Sequence, residues 1–423
     1  MHTAQPASPL PLLLFVLVAF LPVNSVFGQF RNYELYGSVE LSTDYRLNRY
    51  GERDQSAFGR TSALVNQRLT FPAGELFARS RLELDDQETL AHDLEEGYIR
   101  LLPSPSLTMA LGRQRLNWGA GYTYSATDAL HPQTAEADRD VGFDGISGSW
   151  FPTPDLSVTL ALALQDAYEV SRQPGDVDAW RRLRYAGYLS SYLGNLQIDP
   201  SIVYEPDTIL RPGVSTSFTV AGLLLSLEGA VEFHNRNIYP TGKNFTQPDL
   251  FEPYPIASGA AEYSFPVGDL TITTISEYLY NGLGYDKAEF DTLVSFVALT
   301  STGTGPNVLE ESGGEGEQPF SGFASQLGAG APYDGAGYFG LLRRHYLFQT
   351  ISFSYLESWS SDHSVLLNLE DWSVSVSHGV TLTTMERLDL GVDVRWAMGE
   401  KNKDEFALLP YTVQFSLHGT VHF

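Results

Sequence analysis

The sequence predicts an all-β protein: a transmembrane antiparallel up-and-down β-barrel of about 18 strands, with 16 as the alternative. Three observations predict it. Apolar and polar residues alternate with period two along most of the chain, connections alternate between short and long, and a targeting segment precedes the first strand. Composition narrows the function. The 423 residues include no Cys, which excludes a disulfide scaffold, a thiol nucleophile and Cys-held zinc or iron–sulfur. Asp plus Glu total 51 against 26 Lys plus Arg, a net charge of −25. That balance argues against nucleic acid, whose phosphates need clustered cations.

Residues 1–28 read as a secretory signal. Leu12–Leu21 is an apolar run of about ten residues, too short to cross a bilayer as a helix. Pro22 and a small-residue site ending at Gly28 follow, so cleavage is expected between Gly28 and Gln29. One departure is that His2 is the lone basic residue before the apolar run. Residues 29–423 then form a single barrel domain with long outer loops, the longest being 282–344. No run of 18 apolar residues follows the signal.

The strands justify themselves in order. Eighteen segments alternate: 33–45, 60–71, 75–85, 94–102, 106–116, 143–151, 155–165, 183–193, 195–204, 211–221, 223–233, 256–265, 269–281, 345–357, 363–370, 372–384, 387–398 and 408–423. In the seventh, Leu156, Val158, Leu160, Leu162 and Leu164 alternate with Ser157, Thr159, Ala161, Ala163 and Gln165. In the last, Tyr411, Val413, Phe415, Leu417, Val421 and Phe423 alternate with Thr412, Gln414, Ser416, His418, Thr420 and His422. Such strands separate two solvents. Connections after even-numbered segments are tight, as at Phe71-Pro-Ala-Gly, Phe151-Pro-Thr-Pro, Phe265-Pro-Val-Gly and Leu193-Gly-Asn. Those at 46–59, 117–142, 166–182, 234–255 and 282–344 are long, while 205–210 and the Asp371 junction are short on the long side. Closure follows from physics, because in hydrocarbon every backbone N–H and C=O needs a partner and an open sheet edge has none.

The final Phe423, with Val421, Gly419 and Leu417 before it, resembles the C-terminal strand signal of bacterial outer-membrane barrels. That resemblance implies recognition by the barrel-assembly machinery. A second short stretch, Gly112-Arg-Gln-Arg-x-x-Trp-Gly119 followed by Asp128-x-x-x-Pro132, resembles the porin-like barrels of the alginate-export and related outer-membrane families. It covers about twenty residues closely. It implies a barrel of this size that passes small or polymeric solutes. Leu107, Met109 and Leu111 share a parity that would carry Arg113 and Arg115 outward, so a bulge starting at Gly112 is expected to return them to the lumen. These arginines and Trp118 are candidates for solute contact; a structural network with neighbouring carboxylates is the other reading.

A second constellation lies on the expected lumen faces: Arg79, Arg81 and Glu83 with Glu96, Tyr98 and Arg100, and further along Asp393 with Arg395. Their alternates Ala78, Ser80, Leu82, Ile99 and Leu101 would face lipid. A charge turned to lipid costs about 2–4 kcal/mol near the midplane, which fixes the inward choice. The set would act as a transverse field across an aqueous pore, or would simply pair across strands. In 282–344, Phe290, Leu293, Val294, Val297 and Ala298 have helical spacing over Asp286–Thr300. That helix would either constrict the lumen or cap neighbouring loops.

Signals for chemistry are weak. Asp138-x-Asp140-x-x-x-Asp144 lacks the spacing of a calcium loop and reads as a solvated acidic stretch. His378 has Ser373, Ser375 and Ser377 nearby, but a serine-rich lumen face explains them. No catalytic residue, cofactor or metal is expected. The expected role is a non-enzymatic channel for small hydrophilic or saccharide-type solutes, with outer-membrane lipid as its surroundings. The alternative is a surface interaction protein with a plugged lumen and ligand-binding loops.

Overall fold

The computed structural model of the chain describes residues 32–48, 56–85, 90–116, 118–122, 125–127, 142–164, 183–206, 209–233, 239–241, 244–246, 252–292, 294, 343–356, 358–385, 387–400, 403–407 and 411–423. The expected signal, Asp138, Asp140 and most of 282–344 lie outside them.

Each of the eighteen expected segments is a strand, within a few residues of its expected ends. They are β1 (Asn32–Asn48), β2 (Ser56–Phe71), β3 (Gly74–Asp85), β4 (Leu90–Ser104), β5 (Leu107–Gln114) and β6 (Phe143–Thr153). Then come β7 (Leu156–Leu164), β8 (Leu183–Leu193), β9 (Leu196–Glu205), β10 (Ile209–Val220) and β11 (Leu223–Glu232). A short hairpin, β12 (Tyr239–Thr241) with β13 (Asn244–Thr246), decorates the next connection. The wall resumes with β14 (Tyr254–Val267), β15 (Leu270–Asn281), β16 (His345–Tyr355), β17 (Trp359–Asn368), β18 (Val374–Met385), β19 (Leu388–Met398) and β20 (Tyr411–His422). The strand count is eighteen, not sixteen, because each wall strand pairs antiparallel with its chain neighbours and β20 returns to β1. Ser38 faces His422 at one end of that seam and Asn48 faces Tyr411 at the other. Among the described residues the 18-stranded sheet has no free edge.

The final residue completes the seam. Phe423 N–H donates to Gly37 O at 3.0 Å, and Gly37 N–H donates back to Phe423 O at 3.1 Å. A Cβ on Gly37 would collide with Leu64 O and approach the Phe423 ring, so glycine is required where the two strands close.

The two faces differ as the alternation requires. On β7, Leu160 is 64% exposed on the outer face, while Thr159, Ala161 and Ala163 on the inner face are buried. The connections after β2, β4, β6, β8, β10, β14, β16 and β18 are tight and lie at one end, while at the other end only the β9–β10 connection, 206–208, is as short among those between described strands. At Ala221-Gly222 both residues have positive φ, 50° and 83°, the type I′ geometry that matches the twist of a two-residue hairpin.

At the other end, residues 287–292 are helical, at the start of the expected helix. Asp286 Oδ1 accepts Glu289 N–H at 2.9 Å and Glu289 Oε2 accepts Asp286 N–H at 2.7 Å, a reciprocal cap. Phe290 is fully buried under the Arg343 guanidinium, 4.8 Å from its ring centroid, and Arg344 pairs with Glu289. The start of this helix is therefore seated at the end of the wall where β15 and β16 leave it. Burial pushes the Tyr285 phenol up to about 12, with the Glu289 charge adding to it.

Candidate functional site

The chain leaves β5 at Gln114 and folds into the barrel. Trp118 is buried against the inner faces of β7, β8 and β9, among Ala161, Ala163, Ala186 and Val203, and stacks on Tyr188 with centroids 5.2 Å apart. Tyr122 then reaches β14 and β15. Its N–H donates to Glu277 Oε1 at 3.2 Å and its hydroxyl donates to Glu262. In pairing order β15 stands eight strands beyond β5 in a ring of eighteen, close to diametrically opposite. The described residues within 115–122 therefore run across the lumen side of the wall from β5 to β15.

One carboxylate fastens the crossing. Glu228, on the inner face of β11, accepts backbone N–H groups from Ala120, Gly121 at 2.9 Å and Ala126 at 2.6 Å, and the Ser125 hydroxyl at 3.3 Å. The segment wraps round this anion like a nest of backbone donors. Gly119 permits it, with φ at 96° and a Cβ position that would overlap Ser125, Glu228 and Thr127. Beyond the nest, Ala126 joins Ala230, Ile256, Leu279, Tyr346, Ala397 and Phe406 in an apolar cluster. Phe406 comes from the β19–β20 connection. Its neighbour Glu405 accepts from Tyr346 Oη at 2.6 Å and Asn368 Nδ2 at 2.7 Å, which ties that connection down. Burial, then the bond to Glu262 and its charge, hold the Tyr122 phenol well above the ordinary tyrosine range.

The inner wall is thus covered on one side. Glu228, Glu277 and Arg211 are 5%, 1% and 1% exposed on β11, β15 and β10. On the other side the inner side chains are open: Asp393 of β19 is 54% exposed, Arg100 of β4 43% and Glu34 of β1 50%. Among the described residues an accessible path runs along β19, β20 and β1–β4.

That path holds the expected charge cluster, on the expected face. Phe77 and Tyr98 pack at 5.4 Å, with Arg100 over Tyr98 at 4.9 Å and Arg68 over Phe77 at 5.5 Å. Arg100 pairs with Glu75 at 2.7 Å, and Arg68 reaches Glu75 at 3.5 Å and Glu34 at 3.7 Å. Arg79 and Arg81 both bind Glu95, Arg79 at 2.9 Å, while Arg79 reaches Glu96 only at 3.8 Å. Glu95 was not legible as a lumen residue, since its parity points to lipid. The β3–β4 register shifts between Arg79 and Ser80, so Glu95 is an extra residue of β4 that turns to the arginines and is 1% exposed. Glu83 is buried on the same face opposite Ser62. Asp393 pairs with His418 at 3.1 Å, and Arg395 lies two residues on, opposite Gln414. Arg68, Arg79, Arg81 and Arg100 meet acids on adjoining strands.

The stretch after β5 departs from expectation. No bulge forms at Gly112. Leu111, Gly112, Arg113 and Gln114 pair without a shift with Ile146, Gly145, Asp144 and Phe143. Arg113 therefore keeps the outward parity of Met109 and Leu111. It is satisfied by a two-pronged bond to Asp144 at 3.0 and 2.7 Å and by Leu94 O at 2.8 Å. The glycine serves another purpose. Its φ is 124°, and a Cβ would strike Gly97 O on the adjoining strand. Arg115 lies past the strand end and lines an inner cavity of about 480 Å³ with Glu75, Arg100 and Gln114. Among the described residues no group of three or more His, Asp or Glu is placed to hold a metal ion.

No family model matches the chain, and no curated protein matches it in sequence. Solved structures do match in fold. OccAB1 of Acinetobacter baumannii superposes with a TM-score of 0.57 at 10% identity, over 95% of this chain and 99% of that one. The outer membrane protein OpdK of Pseudomonas aeruginosa gives 0.52 at 8% identity, over 94% and 100%. OccK2 (OpdF) of Pseudomonas aeruginosa, in complex with glucuronate, gives 0.52 at 11% identity, over 93% and 98%. The chain shares with them the closed 18-stranded antiparallel barrel.

Proposed function

We propose that the protein is an outer-membrane channel through which small hydrophilic solutes diffuse, and that it is not an enzyme. The carrying observation is the segment 115–127. Its described residues cover the inner wall from β7 to β15 and are fastened to Glu228 and Glu277, leaving a charged, solvent-accessible path along β19, β20 and β1–β4. An 18-stranded ring is wide enough to hold water beside such a segment, unlike an eight-stranded one. The candidate pore-lining residues are Arg79, Arg81, Glu83, Glu96, Tyr98, Arg100, Arg115, Asp393 and Arg395, joined now by Glu95, Glu75 and Arg68. Arg113 and Trp118 hold the entry to the crossing segment. A saccharide-type solute suits the mix of hydroxyls, carboxylates and guanidinium groups, and the fold neighbour OccK2 was solved with glucuronate. The resemblance of the 112–119 stretch to the alginate-export families points to the same solute class. In this reading residues 1–28 are removed on export, the barrel-assembly machinery inserts residues 29–423, and the long loops face outside a diderm cell. Flux of neutral and acidic sugars into liposomes holding the purified protein tests it: swelling at a rate above protein-free liposomes is expected, and no swelling would sink it.

A further inference from the structure

On β7 and β19 every outward side chain is apolar. The outward face of β15–β18 is not. Three consecutive pairing rows there carry polar groups: Ser276 and Gln349 in one, Thr274, His363 and His378 in the next, and Ser361 in the third. Apolar rows bound them on both sides, Tyr278, Leu347, Leu367 and Val374 above and Leu270, Tyr355, Trp359 and Leu382 below. His363 is four residues from Trp359. At about 3.3 Å per residue and a tilt near 40°, it lies roughly 10 Å inside that aromatic edge, in the middle of the band that lipid would cover.

The hydrogen bonds here run in one direction. Ser361 Oγ donates to Gly379 O at 3.1 Å, so its contact with His363 Nε2 at 3.0 Å has the imidazole donating. A neutral His363 then accepts at Nδ1, and His378 donates from its Nδ1 at 2.8 Å. His378 Nε2 is left as an acceptor. Nearby, Ser276 donates to Gln349 Oε1, and the Gln349 amide has a long 3.4 Å bond to Thr350 O and a second N–H to give. The patch therefore ends in one spare acceptor and one spare donor, on strands separated by β17, and lipid tails can satisfy neither.

We propose that this sector is an interface with a second copy of the chain, related by a two-fold axis. In an isologous contact residue i meets j while j meets i. One copy's Gln349 amide would donate to the other's His378 Nε2, and the reverse, so each patch supplies what the other lacks. The inference rests on the wall's outer face and is independent of which solute passes inside.

The chain has no cysteine, so a disulfide from one introduced cysteine can join only two chains. Because Gln349 meets His378 of the other copy, the two-fold axis passes between them, nearest Val365 of β17, which pairs with Gln349 and Val376. Val365→Cys and, as a control on the apolar wall, Leu160→Cys should be oxidised in native outer-membrane vesicles, and the Val365→Cys chain is expected to form a product of twice its mass at least tenfold faster than Leu160→Cys. His378→Leu with Gln349→Leu should convert wild-type dimer to monomer in mild detergent while the barrel stays folded. Should that variant fail to fold, the cysteine comparison on the otherwise unaltered chain still decides. Equal cross-linking rates would overturn the proposal. So would a product of another mass, which would assign the patch to a different protein.

Discussion

Gly119 and Glu228 are in such close contact that a Cβ on Gly119 would overlap the Glu228 carboxylate, so the residue that bends the crossing segment also makes room for its anchor. Glu228→Gln replaces one acceptor oxygen with a donor. At least one of the Ala120, Gly121 and Ala126 N–H groups then loses its partner inside the lumen, at a cost of roughly 1–3 kcal/mol. Gly119→Ala adds steric overlap and an unfavourable φ. Both variants should widen the path, read as a higher single-channel conductance with folding unchanged. Wild-type conductance in both would show that the segment does not limit the pore.

Tyr122→Phe should act in the same direction but more weakly, because it removes one hydrogen bond to Glu262 and leaves the N–H bond to Glu277, a loss of about 1 kcal/mol. The native contact should also resist alkali. The phenol's folded pKa is raised above its unfolded value, so the contact contributes fully below the ordinary tyrosine pKa of about 10 and is lost only as pH rises through the higher folded value. Conductance should stay level between about pH 7 and 10 as far as Tyr122 is concerned. A step that Tyr122→Phe abolishes within that window would contradict this.

Arg79→Ala with Arg81→Ala removes two cations from the open side and leaves the Glu95 charge uncompensated. The reversal potential under a salt gradient should move toward cation preference. Glu95→Gln should move it the other way, toward anions. Selectivity unaltered in both would place the solute's path elsewhere in the lumen.

Deleting Phe423 removes two backbone bonds to Gly37 at the seam as well as the terminal aromatic. Less folded protein should reach the outer membrane, while signal processing continues. Immunoblots of outer-membrane fractions with heat-modifiability as the folding readout would show this, and wild-type amounts would count against the assembly role.

Protease added to intact cells should cut within 282–344 and spare the turns at Pro72, Pro152 and Pro266. Cleavage at those turns would invert the proposed orientation.

Period-two alternation by itself determined the wall. A strand number of 18 or 16, the strand ends to within about four residues and the inward face of Arg79, Arg81, Tyr98 and Arg100 were legible, because one face must meet lipid and the other must not. Turn chemistry marked the short end for the same local reason. What alternation could not carry was anything that breaks parity or crosses space. Glu95 turns inward because β4 holds one residue more than β3 opposite it, a mismatch visible only once the strands are paired. Gly112 looked like a bulge, yet it serves the close approach of Gly97 O, and Arg113 stays outside with Asp144. The anchor Glu228 lies more than a hundred residues from the segment it holds, and only closure of the ring brings β5, β11 and β15 round one lumen. Local sequence records which solvent each side chain prefers. The place where a chain crosses a pore depends on long-range pairing, and that is settled by tertiary structure.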